Sequence, residues 1–190
     1  RIARAGLARR VAYLPQGQAL HWPLTVERLV GLGRLPHLGP LPRIAPADAA
    51  AIDRAMARTD TASLARRVAT ELSGGERARV LLARALAVEA PALIADEPLA
   101  SLDPAHQIEV MELLAAEAAA GALVIVILHD LTMAARYCDR LLLLDHGRIA
   151  ADGPPADVLA PDHLADVYGI RAAIDLSGQR PPVVPVSRIS

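Results

Sequence analysis

The sequence predicts an α/β fold built on a mostly parallel sheet, and two features support this. From Leu72 onward, short aliphatic runs alternate with helical patterns, an order typical of parallel strands joined by crossover helices. Residues 23–71 show no strand pattern and separate an early apolar run, residues 11–14, from the later strands. We therefore expect one sheet domain with a helical subdomain inserted into it.

Within the inserted segment, local signals predict short helices joined by a surface connection. Thr25 is a suitable N-cap for a helix that starts at Val26. Residues 33–46 are rich in proline and glycine, so we expect a surface connection there. Residues 47–58 and a shorter stretch at 61–66 are predicted to be helical.

The later elements follow in a regular order. They are a helix from 73 to about 88, a strand at 92–95, a long helix opened by Asp103 and Pro104, strands at 122–128 and 141–145, and short helices at 154–159 and 161–168. The continuous aliphatic run at 122–128 is typical of a strand buried on both faces. Residues 181–190 are expected to form a loose tail.

The amino-acid composition argues against several classes of protein. The net charge is −1 and no lysine is present, which argues against a nucleic-acid-binding surface and against a polybasic membrane tether. The single cysteine excludes an intrachain disulfide framework. We find no signal-peptide pattern, and the apolar runs are too short to span a bilayer. A cytoplasmic location is expected, with no nucleic-acid partner.

The first chemical motif is L-S-G-G-E, which comprises Leu72, Ser73, Gly74, Gly75 and Glu76. Ser73 and Glu76 fit a capping box, and a well-capped helix is the simpler interpretation. A capping box does not need two glycines, however, and each weakens the first helical turn by roughly 1 kcal/mol relative to alanine. Exposed backbone N–H groups at a helix start can bind phosphate, so this motif is also a candidate anion site.

Two further motifs follow a buried strand. Asp96 and Glu97 end that strand, where open α/β sheets bind ligands. Asp96 could hold Mg²⁺ and Glu97 could deprotonate a water molecule, although a solvated acidic strand end is the structural alternative. Ser101 and Asp103 form part of S-L-D-P, in which a plain helix N-cap is an adequate explanation.

Two single residues complete the pattern. His129 follows the strand at 122–128, where it could donate to a γ-phosphate or play a structural role. Gln16 follows the first strand and by itself indicates little. The other histidines show no metal-ligand spacing and are interpreted as surface residues: His21, His37, His106, His146 and His163.

Taken in order, these motifs resemble the ATPases of the ABC transporter family. The resemblance covers about residues 8–175 and implies a P-loop NTPase fold with ATP and Mg²⁺ as cofactors. It implies that Glu97 is the catalytic base and that His129 contacts the γ-phosphate. It also implies that Gln16 contacts the metal and the attacking water. It implies that Asp96 binds the metal together with Gln16. The implied nucleotide-binding residues are Ser73, Gly74, Gly75, Glu76 and, across a dimer interface, Asp103.

The sequence departs from the family pattern in two ways. The signature ends in Glu76 where glutamine is commoner. The phosphate-binding loop G-x-x-x-x-G-K-[ST], called Walker A, is expected upstream of Gln16, and a chain without lysine holds no copy of it. We therefore expect an N-terminally clipped chain that lacks the first strands and hydrolyses no ATP alone. The expected divisions are 1–22 (core with the Q-loop), 23–72 (helical subdomain), 73–175 (ATPase core) and 176–190 (tail).

The resemblance also implies partners and cargo. The family works with permease subunits, with a second ATPase subunit in a head-to-tail dimer, and indirectly with a periplasmic or extracellular binding protein. The location is then peripheral, on the cytoplasmic face of the inner or plasma membrane. Residues 25–37 are similar to importers of iron-siderophore, haem and cobalamin, and we favour iron chelates.

Two alternatives remain open. A DNA-repair type ABC ATPase carries long coiled coils between its Q-loop and its signature, whereas this chain has only a short helical insertion without sustained heptads. A degenerate, non-catalytic protein that merely occupies a permease is the other alternative. The retained Asp96, Glu97, Asp103 and His129 argue weakly against it.

Overall fold

The computed structural model describes residues 4–17, 20–39, 43–100, 102–174 and 182–189. They form two compact units, the first ending at Ile127 and the second beginning at Leu128. The first unit contains α1 (Arg4–Arg10), β1 (Val11–Leu14), α2 (Val26–Gly31), α3 (Pro46–Arg58), α4 (Gly74–Leu86), β2 (Ala92–Asp96), α5 (Pro104–Ala119) and β3 (Leu123–Ile127). The second contains α6 (Leu131–Tyr137), β4 (Leu141–Asp145), β5 (Arg148–Gly153), α7 (Pro155–Val158), α8 (Pro161–Tyr168), β6 (Ile170–Ile174) and β7 (Val183–Arg188).

A parallel three-stranded sheet organises the first unit, with strand order β1-β2-β3. Leu14 lies opposite Ala95, and Asp96 lies opposite Ile127. The carboxyl ends of the three strands therefore lie along one edge. Helix α4 packs against β1 and α5 against β3, which confirms the predicted α/β class with a parallel sheet.

The two faces of this sheet differ. Leu93 and Ala95 of β2 are buried beneath the helices, whereas Leu123 and Ile125 of β3 are 61% and 46% exposed, and Tyr13 of β1 is exposed as well. The prediction that residues 122–128 form a strand buried on both faces is therefore wrong. The residues of β3 alternate between exposed and half-buried positions.

The inserted segment is helical, as predicted. Thr25 caps α2, and the apolar residues of α2, α3 and α4 form one core: Val26, Leu29, Val30, Ile52, Ala55, Met56, Ala69, Val80, Ala83 and Ala87. The predicted helix at 61–66 is a shorter 3₁₀ turn, Ala62–Leu64, and a second 3₁₀ turn, Ala69–Glu71, leads to α4.

The surface connection predicted at residues 33–46 is wrong in its first part. Leu32–His37 is a 3₁₀ helix in which Gly33 and Arg34 are buried. A Cβ atom on Gly33 would lie 2.3 Å from the Arg84 carbonyl oxygen. Glycine thus permits a close approach to α4 that no other residue allows without a shift.

The second unit contains two antiparallel pairs, β4 with β5 and β6 with β7. The loose tail predicted at 181–190 is wrong for its described part, because Val183–Arg188 is a strand. The Thr132 hydroxyl donates to the Val183 carbonyl oxygen at 2.9 Å and accepts from the Val183 N–H at 3.1 Å, which fixes the start of β7. The predicted divisions at 22, 72 and 175 stay predictions.

No helix within the described ranges is both long enough and apolar enough to cross a membrane.

Candidate functional site

The carboxyl ends of β1 and β2 bring Gln16 and Glu97 together. The Gln16 side-chain amide donates a hydrogen bond to Glu97 Oε2. Glu97 has φ 47°, a left-handed conformation uncommon for residues other than glycine and often found at functional sites. Its backbone N–H donates to the Ile127 carbonyl oxygen at 3.1 Å. The backbone of Glu97 is thus anchored to β3 while its carboxylate meets the residue that follows β1.

Asp96 is the last residue of β2 and is half-buried. The Tyr13 hydroxyl donates to Asp96 Oδ2 at 3.4 Å, a long hydrogen bond. Tyr13 is not among the site residues predicted from the sequence. Strand alternation is the signal that could have identified it, because Tyr13 lies opposite Ile94 and so shares a sheet face with Asp96.

A cleft of about 220 Å³ joins this acidic edge to the first turn of α4. Its lining residues include Gly17, Gly74, Arg77, Asp96, Glu97 and Ala100. The L-S-G-G-E motif and the D-E pair, separate in the sequence, therefore share one cavity. The cavity combines carboxylate oxygens with the N-terminus of a helix, a combination that suits a metal-bound phosphate.

The start of α4 has the predicted capping box. Ser73 N–H donates to Glu76 Oε2 at 2.9 Å, and the Glu76 N–H donates to Ser73 Oγ at 3.3 Å. These bonds, first of all the one from the Ser73 N–H, lower the pKa of the Glu76 carboxyl. A Cβ atom on Gly75 would lie 3.7 Å from Leu102 Cδ2, an ordinary contact. Packing within the chain therefore does not require glycine there.

Glu76 has a second partner that the sequence analysis missed. Arg67 Nη1 lies 2.7 Å from Glu76 Oε1, and Arg67 Nη2 donates to the Glu71 carbonyl oxygen at 3.3 Å. Nothing in the local sequence identifies this partner, because Arg67 lies nine residues before Glu76 and outside α4.

Asp103 is the N-cap of α5 and accepts from the His106 N–H at 3.1 Å. It also pairs with the His106 ring, and the backbone bond is the largest cause that lowers the pKa of the Asp103 carboxyl. Leu102, just before it, is buried beside Gly75. The S-L-D segment therefore adjoins the signature, while Ser101 lies outside the described residues.

His129 belongs to the second unit and has an exposed side chain. It comes two residues after Ile127, the residue that pairs with Asp96 at the end of β3. Its juxtaposition with Asp96 and Glu97 stays a prediction. Within the described ranges, no three or more His, Cys, Asp or Glu side chains assemble into a group that could hold a metal ion.

The opposite end of α4 is held by a buried polar cluster. Arg34 is 7% exposed, its Nε lies 2.9 Å from Asp48 Oδ1, and its Nη1 donates to the Ala87 carbonyl oxygen at 2.8 Å. The same Nη1 lies 3.1 Å from Glu89 Oε2. The His37 ring contacts the Val88 carbonyl oxygen at 2.8 Å and is half-buried, so its prediction as a surface residue is wrong.

Comparison with known proteins gives the family of this chain. Residues 2–100 match the family model described as ABC transporter. The hemin import ATP-binding protein HmuV of Streptomyces coelicolor is 52% identical over 162 residues, which cover 85% of this chain and 57% of that protein. The cobalamin import ATP-binding protein BtuD of Halobacterium salinarum is 44% identical over 174 residues, covering 91% of this chain and 43% of that protein. This chain thus spans about half the length of these relatives.

Among solved structures, the dimeric bacterial ABC transporter cassette MJ0796 is similar, with a TM-score of 0.69 at 25% identity. The match covers 78% of this chain and 64% of that chain. From the family match and these relatives, the chain belongs to the ATP-binding domain family of ABC transporters.

Proposed function

We propose that this chain forms part of the ATP-hydrolysing subunit of an ABC importer. The observation that carries the proposal is the carboxyl edge of the sheet, where the Gln16 amide donates to Glu97 and Asp96 ends β2. Two adjacent carboxylates at the carboxyl end of a parallel strand are suited to activating water for in-line attack on a metal-bound phosphate.

Each of these residues has a distinct proposed role. Glu97 accepts the proton of the attacking water at its carboxylate, and the amide of Gln16 orients that carboxylate through its hydrogen bond. Asp96 contributes oxygen ligands for Mg²⁺, and Gln16 offers an amide oxygen as a further one. Bound ATP would supply the transferable phosphoryl group, and bound Mg²⁺ would neutralise negative charge on its oxygens. His129 is the proposed donor to the γ-phosphate.

The signature is proposed to serve a neighbouring copy. The first turn of α4, formed with its cap by Ser73, Gly74, Gly75 and Glu76, would bind the γ-phosphate of ATP held by a second subunit through backbone N–H groups. Asp103 would lie across the dimer interface. Gly75 supports this idea, because its missing side chain is not explained by packing within the chain. Backbone N–H groups there are free of a Cβ that would keep a phosphate away.

A permease is the proposed membrane partner. Trp22 is 76% exposed in the segment that follows Gln16, while Leu20 in the same segment packs against the core of the helical insertion. An exposed tryptophan close to a residue that packs on the core is suited to be an interface anchor. The subunit would then lie peripherally on the cytoplasmic face of the membrane, and a substrate-binding protein on the other side would act only indirectly.

For the cargo we propose an iron-siderophore, haem or a related chelate. The named relatives are import proteins for hemin and cobalamin, both of which are metal chelates. Transport of radiolabelled haem, cobalamin and a ferric siderophore into cells expressing the transporter would rank the three.

We also propose that the 190-residue chain alone does not turn over ATP. Without lysine it has no G-x-x-x-x-G-K-[ST] loop to neutralise the β- and γ-phosphates. Steady phosphate release by the isolated chain, measured with malachite green, would contradict this. The non-catalytic permease-binding alternative predicts no hydrolysis in any assembly.

The test of the main proposal compares Glu97→Gln with Glu109→Gln, an exposed glutamate on α5. In the subunit as the cell makes it, reconstituted with its permease, Glu97→Gln should lower kcat by about 10²–10⁴-fold, the usual contribution of a general base. Binding of a fluorescent ATP analogue should persist in both variants. Hydrolysis at the unmodified rate in Glu97→Gln would exclude Glu97 as the base.

A further inference from the structure

Glu76 presents an electrostatic difficulty at the proposed phosphate site. It places a carboxylate in the first turn of α4, next to the backbone groups that would meet a γ-phosphate. A carboxylate stabilises the helix start through the helix dipole, but it also repels a phosphate anion that approaches the same turn. A glutamine at this position would cap the helix without that repulsion.

Arg67 neutralises this carboxylate. Its Nη1 lies 2.7 Å from Glu76 Oε1, while Glu76 Oε2 accepts from the Ser73 N–H at 2.9 Å. Each carboxylate oxygen therefore has a donor, one of them a full positive charge. The second guanidinium nitrogen donates to the Glu71 carbonyl oxygen at 3.3 Å, which fixes the orientation of the Arg67 side chain.

The backbone around Arg67 is itself anchored to the start of α2. The Val26 N–H donates to the Arg67 carbonyl oxygen at 3.0 Å, and the Ala69 N–H donates to the Leu24 carbonyl oxygen at 2.8 Å. Thr25 and Val68 form an antiparallel bridge between these two bonds. The guanidinium is therefore presented to the signature by a defined backbone rather than by a free loop.

We propose that Arg67 is a positioning residue of the ATPase reaction, which holds and neutralises Glu76 so that the first turn of α4 accepts the terminal phosphate of a nucleotide. Arg67 acts through Glu76 and does not itself contact the phosphate. This inference rests on the proposed function, since it concerns the same phosphate site.

The experiment measures ATP hydrolysis by the subunit as the cell makes it, reconstituted with its permease, at varied ATP concentration. Arg67→Ala should raise KM for ATP about fivefold with little change in kcat, because an uncompensated charge weakens ground-state and transition-state binding alike. Glu76→Gln is the reference for the double variant, because it removes the carboxylate and keeps a side chain that can still cap the helix. The double variant Arg67→Ala/Glu76→Gln should return to within about twofold of Glu76→Gln, because no carboxylate remains to be neutralised.

Two controls separate charge from folding. Arg67→Lys keeps the charge and should retain most of the affinity, whereas Arg66→Ala removes the charge of an exposed neighbour and should leave KM unchanged. Arg67→Ala and the double variant both lose the contact with the Glu71 carbonyl oxygen. A loss caused by local misfolding would therefore persist in the double variant.

The proposal is overturned if Arg67→Ala has the KM of the unmodified protein, or if the double variant stays as impaired as Arg67→Ala. The second outcome would mean that Arg67 acts on the nucleotide or on the fold instead. Absence of hydrolysis by the unmodified complex would contradict the proposed function, and this inference with it. Normal hydrolysis with equal KM in every variant would contradict this inference alone.

Discussion

The two ends of helix α4 are each held by an arginine, yet their surroundings differ. At the C-terminal end, Arg34 is buried and bonds to Asp48 and to the last carbonyl groups of the helix. At the N-terminal end, Arg67 is exposed and bonds to the side chain of Glu76, while Gly74 remains on the wall of the cleft.

This difference separates stability from function within one helix. Buried carbonyl groups and a buried carboxylate must be paired, because an unpaired polar group in the interior is strongly destabilising. An exposed ion pair contributes little to stability. The C-terminal end therefore anchors the helix, and the N-terminal end can be specialised for a ligand.

The largest expected loss of stability comes from removing the buried arginine at the C-terminal end of α4. Arg34→Ala should lower the free energy of unfolding by about 3–5 kcal/mol, because it leaves Asp48 buried without its cation. Arg54→Ala removes the exposed partner of Glu89 and should lower it by less than about 1 kcal/mol. Urea unfolding followed by far-UV circular dichroism measures both, and equal losses would refute the contrast.

A substitution at Gly33 tests how closely the 3₁₀ helix Leu32–His37 approaches α4. Gly33→Ala should lower the free energy of unfolding by about 1–3 kcal/mol, because the new methyl group would overlap the Arg84 carbonyl oxygen. Gly39→Ala is a matched control, since a Cβ atom there meets nothing within 4 Å. The same urea titration compares the two alanine variants, and similar stability would mean that the approach is looser.

The cap at the N-terminal end should have a smaller effect. Ser73→Ala removes the acceptor for the Glu76 N–H and should lower the free energy of unfolding by about 1 kcal/mol. Ser63→Ala, at an exposed serine of a 3₁₀ turn, should have no measurable effect. A loss for Ser73→Ala as large as that for Arg34→Ala would show that both ends anchor the helix equally.

The smallest expected effect is the pH dependence of stability that comes from Glu76. The pKa of the Glu76 carboxyl is lowered in the folded state, chiefly by the Ser73 N–H. Its ionised form therefore stabilises the fold above the unfolded pKa of about 4.3. This contribution is lost as the pH falls through the lower, folded pKa. The melting temperatures of the unmodified protein and Glu76→Gln should differ most at neutral pH and converge as the pH falls below the unfolded pKa. A difference independent of pH would contradict this.

Much of the site was predictable because its signals are local. Ser73 and Glu76 form a capping box three residues apart, and Asp96 with Glu97 directly follows an apolar run. The parallel sheet then brings strand ends together, so the meeting of Gln16 with Glu97 follows from two correctly identified strands.

The wrong predictions concern segments whose structure depends on the elements that pack against them. The run at 122–128 is equally compatible with one or two buried faces, because aliphatic residues tolerate both. Residues 33–37 resemble a surface connection because they contain glycine and proline. Gly33, however, packs closely against the backbone of α4. The strand Val183–Arg188 depends on pairing with Ile170–Ile174, a non-local partner that the local sequence does not reveal.

By itself, the sequence determined the α/β class, the capped start of α4, the acidic end of β2 and the resemblance to ABC ATPases, because these depend on residue type and short-range spacing. The tertiary structure alone decided which charges pair. Arg34 lies 14 residues from Asp48 and 53 from Ala87, and Arg67 lies nine residues from Glu76. Such pairs form only when helices pack and backbone segments align, since a side chain's partners are set by distance in space and not by distance along the chain.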